Sequence, residues 1–228
     1  MRTYHSIWVA IWVTILSTLL VSNTAVHAAV NLPLAVSPVV VKMNAVTAFS
    51  SVSVGNRGNQ ATGIEVEVLR VKWVDGQEQY EASTDFIVSP PTFRLLANKD
   101  RLVRFRYSGQ RSDTEGFYRL FIRQLPEETV ANQINLVVNL GVPIFVAPLT
   151  SKPALAVTIS AAESKTYALR NTGNVTLNIL TLEGENCLLA QQKVLPRLSP
   201  GQQTLISADL AQCATAAKTD QGLILLTP

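Results

Sequence analysis

Histidine is almost absent. The 228 residues hold two, His5 and His27, and both fall in a stretch that we expect to be removed. Ile7 to Val21 is an almost unbroken apolar run, and Val26-His27-Ala28 sets small or moderate residues before a cut after Ala28, with Ala29 a second option. So short a run, ending in a cleavage pattern, reads as a signal peptide over residues 1–28 rather than a membrane anchor. No imidazole is then left for general acid–base work, a Ser-His-Asp triad or a His-containing zinc site. Cysteine is as scarce: Cys187 and Cys213 are the two. A chain exported to an oxidising compartment would join them as a disulfide. Charge is low too, with 15% charged residues and a net charge of +3, so no basic face is offered to nucleic acid. Glycine-rich phosphate loops are missing. The carboxylates Glu65, Glu67, Glu78, Glu81 and Asp85 are scattered around strand ends. Sequence leaves a glycoside-cleaving pair among them open, but we read no enzyme, no cofactor, no metal site and no small-molecule substrate.

What is present is alternation. Ile64-Glu65-Val66-Glu67-Val68 opens a long run to Val74, and Asp75-Gly76 after it is a hairpin signal. Shorter runs follow at Phe86–Val88, Thr92–Leu95, Arg101–Tyr107 and Phe117–Arg123, each bounded by Gly, Pro, Asn or Asp. Leu34 to Met43 reads as an extended start, with Pro38 fitting an edge. Pro148 to Pro153 reads as a linker, after which strands resume at Ala154–Ile159, Thr166–Arg170, Val175–Leu182, Thr204–Ser207 and Gly222–Thr227. Asn56-Arg57-Gly58-Asn59 in the first half is echoed by Asn171-Thr172-Gly173-Asn174 in the second. The pattern predicts an all-β chain of two related sandwiches, residues 29–149 and 150–228, with no helix of ordinary length.

One stretch stands apart. Ile134, Leu136, Val138 and Leu140 fall at alternate positions, so a strand places them on one face. That face either packs in the chain's own core or is offered to a partner, and the pattern alone leaves both open.

Several motifs in order resemble one family. They are Ser89-Pro90-Pro91-Thr92-Phe93-Arg94-Leu95, Leu102-Val103-Arg104-Phe105, Tyr118-Arg119-Leu120-Phe121-Ile122-Arg123-Gln124-Leu125-Pro126, Pro143-Ile144-Phe145-Val146-Ala147-Pro148 and Asn171-Thr172-Gly173-Asn174. Together they are similar to the periplasmic pilus-assembly chaperones of the chaperone–usher pathway, the PapD-like family. Ser37-Pro38-Val39, Tyr118-Arg119-Leu120 and Pro143-Ile144-Phe145 are more similar to its archaic or alternative branches than to the best-known one, and the loop before Ile134 is short, as in the family's short-loop chaperones.

The resemblance implies two immunoglobulin-like β-sandwiches in a boomerang arrangement, working in the periplasm. It implies pilus subunits and an outer-membrane usher as partners, and self-association when free. A subunit arrives lacking a strand, and the chaperone lends its own, here carrying Ile134, Leu136, Val138 and Leu140; main-chain bonds give affinity and alternate side chains fill pockets. Each buried aliphatic contributes about 1.5–3 kcal/mol gross. The best-known branch anchors the subunit's terminal carboxylate with an Arg and a Lys. The matching positions here carry Pro38 and Pro143, which cannot donate. Arg119 and Arg104 are the candidates in their place, with Arg106 and Arg123 further options. The rival readings are a secreted two-domain structural or adhesive pilus component and a generic binding sandwich.

Overall fold

In a computed structural model of the chain, residues 33–44, 47–74, 77–126, 137–159, 167–184 and 197–227 are described. The expected signal peptide lies outside them, as do Ile134, Leu136 and Cys187.

The first ten strands are β1 (Leu34–Ser37), β2 (Val41–Met43), β3 (Phe49–Asn56), β4 (Thr62–Val74), β5 (Gln77–Ala82), β6 (Phe86–Ser89), β7 (Thr92–Leu95), β8 (Asp100–Tyr107), β9 (Gly116–Gln124) and β10 (Asn139–Val146). They form two sheets, ordered β1-β3-β8-β6 and β2-β10-β9-β4-β5, with β7 also pairing β4. The predicted extended start is split: β1 joins one sheet and β2 the other, so the chain crosses between sheets at Pro38. Alternation explains the packing. Val103, Phe105 and Tyr107 on β8 face Tyr118, Leu120 and Ile122 on β9, and all six are buried in one core. The residues between them turn outward.

The second half forms β11 (Leu155–Ile159), β12 (Tyr167–Asn171), β13 (Leu177–Glu183), β14 (Arg197–Leu198), β15 (Gln203–Ile206), α1 (Ala208–Cys213), β16 (Ala216–Thr219) and β17 (Gly222–Thr227). The strand order is β14-β13-β16-β17-β11-β12-β15, around a separate core of Leu155, Leu169, Leu177, Leu198, Ile206, Ala217 and Ile224. Helix α1 is capped by Ser207, whose side chain accepts from the Leu210 N–H.

The echoed motif is one structural device used twice. Asn56 and Asn171 are 1% and 0% exposed. The Asn56 side-chain amide donates to the carbonyls of Gln60 (2.7 Å) and Leu95 (3.2 Å), and its oxygen accepts from Gly58 N–H (2.8 Å). Asn171 does the same with Val175 (2.8 Å), Leu198 (2.8 Å) and Gly173 (2.9 Å). A buried amide must be satisfied, and each Asn uses both its donor and its acceptor groups to close a turn onto a neighbouring strand. The second turn is the more crowded: a Cβ on Gly173 would lie 2.5 Å from the Lys152 carbonyl and the Ala154 nitrogen. The linker backbone therefore lies directly against it.

Candidate functional site

Strand β10 is the meeting point. On one side it pairs antiparallel with β9, Asn139 opposite Arg123 through Val146 opposite Gly116. Gln124 N–H donates to the Val138 carbonyl at 2.9 Å, so even-numbered residues of β10 exchange hydrogen bonds with β9 and odd-numbered ones point the other way. Pro143 is odd-numbered. Its missing N–H costs the β9 ladder nothing, which is where an edge strand tolerates proline. On the other side, β2 pairs in parallel with Ile144, Phe145 and Val146 only. The backbone groups of Asn139 and Gly141 thus face an edge that no strand covers among the described residues.

Val138 and Leu140, read from sequence as part of a row offered to a partner, turn toward the chain's own core. Val138 is 7% exposed, and Leu140 packs half-buried against the same cluster.

Arg119 stands on the outer face of this sheet, opposite Pro143. One of its terminal nitrogens faces both oxygens of Glu78, 2.5 Å from Oε1. The guanidinium lies over Phe117, 5.6 Å from the ring centre. Tyr80 donates its hydroxyl to Glu78 at 2.6 Å, and this hydrogen bond raises the Tyr80 phenol above its ordinary range. Arg119 Nε is buried with no hydrogen-bond partner among the described residues. Arg123 pairs instead with Glu67, at 2.6 Å.

Arg104 is elsewhere. It lies on the outer face of the opposite sheet, across the sandwich from β10, between Ser51 on β3 and Ser89 on β6. The structure therefore does not bring the two candidate arginines together. Arg106 shares that face with Phe49 (67% exposed) and Ile87 (53% exposed), in one row across three strands.

Between the two sandwiches is a cavity of about 310 Å³. Lys42 pairs across it with Asp220 at 3.0 Å. Asp220 also accepts from the Asn178 backbone (2.9 Å) and side chain (2.8 Å). Arg197 donates to Asn178 at 2.7 Å and lies over Phe145, which stacks on Phe117 at 4.9 Å. Glu115 accepts from Thr176 N–H at 2.8 Å. Burial pushes its carboxyl up, against that hydrogen bond and Lys42. Sequence reasoning missed Lys42, Glu115, Arg197 and Asp220. They are far apart along the chain, and nothing local marks them.

The comparisons then decide the family. A model of the pili and flagellar-assembly chaperones, PapD N-terminal domain, matches residues 33–152. The chain belongs to this family of pilus-assembly chaperones. A comparison with curated protein sequences found no match. Solved structures of similar fold include the CsuC–CsuE chaperone–tip adhesion subunit complex of archaic Csu pili from Acinetobacter baumannii (TM-score 0.58, 17% identity, covering 85% of this chain and 98% of that one). The class 5 fimbriae chaperone CfaA gives a TM-score of 0.63 at 12% identity, with 86% and 99% covered. The Salmonella enterica SafB chaperone, solved with the SafA pilin, gives 0.55 at 19%, with 83% and 91% covered. At such identities the likeness is one of fold. It supports the two-sandwich, nearly all-β architecture of this chaperone, and the family model covers the strands that carry β10, Arg119 and Arg104.

Proposed function

We propose that the chain is a periplasmic, ATP-independent and non-enzymatic chaperone that completes pilus subunits with its own strand and passes them to an outer-membrane usher. The observation that carries this is the outer edge of β10 at Asn139 and Gly141, uncovered among the described residues and stopped at Pro143 where β2 begins. An exposed strand edge is a pairing template, and an extended partner segment adds to it by main-chain bonds. The donor row runs from Ile134 and Leu136 to Val138 and Leu140. The last two, rooted in the chain's own core, would form the seam where the two cores join. Arg119, beside that edge, is the anchor for a subunit carboxylate.

Arg104 serves a different contact. With a subunit on β10, the far sheet stays uncovered. There Arg104 and Arg106, beside exposed Phe49 and Ile87, give the mixture of arginine and aromatic side chains that interfaces favour. We assign this face to the usher. The domain reading of a signal peptide (1–28) and sandwiches over 29–149 and 150–228 belongs to the same proposal. So does a Cys187–Cys213 disulfide, supported by the absence of any free thiol among the described residues.

The test is co-expression with candidate pilus subunits and a pull-down from the periplasm. Leu136→Glu should lose the subunit without lowering the chaperone's own thermal midpoint. Retained binding by a folded Leu136→Glu protein would sink the proposal.

A further inference from the structure

Arg119 is answered by its own chain, but only in part. Glu78 engages a single terminal nitrogen, whereas a guanidinium grips a carboxylate best through two parallel N–H bonds. The neighbouring Nε is buried and has no acceptor among the described residues. A buried donor left empty calls for a missing partner.

The Arg119 stem lies against the edge strand for a reason of its own. Gly141 sits on the outer face of the uncovered edge strand, and its φ is not in the positive region that favours glycine. The backbone therefore does not require glycine here. A Cβ at this position would come within 3.1 Å of Arg119 Cδ and 3.5 Å of Phe121. Glycine inside a strand commonly marks close approach of another chain or ligand. The bare Cα lets the Arg119 stem lie against the strand, on the edge where a strand would be added.

We propose that Glu78 is a built-in stand-in for a partner's terminal carboxylate. The incoming group reaches Arg119 along the edge beside Gly141, takes it through Nε and a terminal nitrogen, and displaces Glu78. The exchange replaces a one-nitrogen contact with a two-nitrogen one. Glu78 is not stranded by it, because Tyr80 continues to donate to it and β5 lies at the sheet's edge, next to water. The stand-in keeps an unliganded cation ordered and makes the site selective for a carboxylate that can do better than Glu78.

This rests on the edge-strand reading, and the two fail differently. The probe is a synthetic peptide of alternating valine and serine, with a free or an amidated C-terminus, titrated by calorimetry. The wild type should bind the free acid more tightly than the amide. Glu78→Gln should widen that ratio by about fivefold, the upper end for a partly exposed ion pair. Gly141→Val should collapse the ratio to one while circular dichroism stays unchanged, and Gly141→Ala should fall between. An unchanged or narrowed ratio in Glu78→Gln overturns the stand-in while the edge reading survives. Failure of both peptides to bind the wild type overturns the edge reading and this inference with it.

Discussion

Replacing Asn139 by proline tests the uncovered edge directly. By the parity of the β9–β10 ladder, the Asn139 N–H points away from β9. Asn139→Pro therefore deletes a donor from the outer edge and none from the chain's own sheet. Pro143, four residues on and of the same parity, shows that the strand accepts the ring. The preceding residue, Val138, is pushed toward extended backbone, the form that its pairing opposite Gln124 already uses. A subunit strand would lose one hydrogen bond, about 0.5–1.5 kcal/mol net, and its carbonyl would be left unsatisfied at a cost of about 1–3 kcal/mol. At about 1.4 kcal/mol per decade, affinity should fall roughly ten- to thousandfold. The assay is biolayer interferometry with the subunit that co-purifies with the wild type, alongside urea unfolding of the chaperone alone. Asn139→Ala, which keeps the N–H, should bind as the wild type does. Equal affinity in Asn139→Pro, with its urea midpoint unchanged, would show that the partner does not use this edge.

Three further outcomes are expected. Asn171→Ala removes the amide that satisfies the Val175 and Leu198 carbonyls and should cost about 2–6 kcal/mol by denaturant unfolding, at about 1–3 per stranded group; a loss below 1 kcal/mol would mean that water replaces the side chain. For Asp85, burial pushes the carboxyl up, but hydrogen bonds from Tyr118, Ser83 and Arg70 outweigh it and hold the carboxyl below its ordinary range; its stabilisation is present above the unfolded value, near 4, and is lost as pH falls through the lower folded value. Asp85→Asn should therefore flatten the acid limb of the stability–pH curve, and an unaltered limb would remove Asp85 as its source. Arg104→Glu should leave subunit capture intact and abolish binding of the loaded chaperone to usher-containing membranes, whereas loss of subunit capture would return Arg104 to the subunit site.

Strands with alternating apolar residues were legible in the sequence because the period is two wherever one face is buried. Ile64 to Val74 and Phe117 to Arg123 are the clear cases. β5 was not, since Gln-Glu-Gln-Tyr-Glu-Ala has few strand formers. It exists because the hairpin from β4 delivers it to an edge that water can cover. Ala216–Thr219 was missed for a related reason: small residues between β13 and β17 become a strand through pairing on both sides. Helix α1 is six residues long with one buried side chain, too short for a period of 3.6 to show. At the site, Arg119 was legible through its motif. Its pairing with Glu78 joins positions 41 residues apart in sequence, which no local spacing encodes.

The repeated turn also explains how two similar sandwiches come to make one tool. The fourth residue of the first copy, Asn59, is exposed. Its counterpart, Asn174, is drawn into the joint. Its amide donates to the carbonyls of Asp113 (2.6 Å) and Thr150 (2.7 Å), and its oxygen accepts from Lys152 N–H (2.6 Å). Glu115 N–H in turn donates to the Asn174 carbonyl at 2.9 Å, while the Glu115 carboxylate holds Thr176. The segment gripped in this way, Asp113 to Glu115, runs straight into β9. Two residues past Glu115, Phe117 carries the stack that reaches Phe145 and Arg197, and Arg119 follows two residues later on the same face. The second sandwich is therefore fastened to the stem of the strand that positions the proposed anchor. Loosening Asn174 should blur the cleft and the anchor together, whereas the same change at Asn59 should leave both as they are.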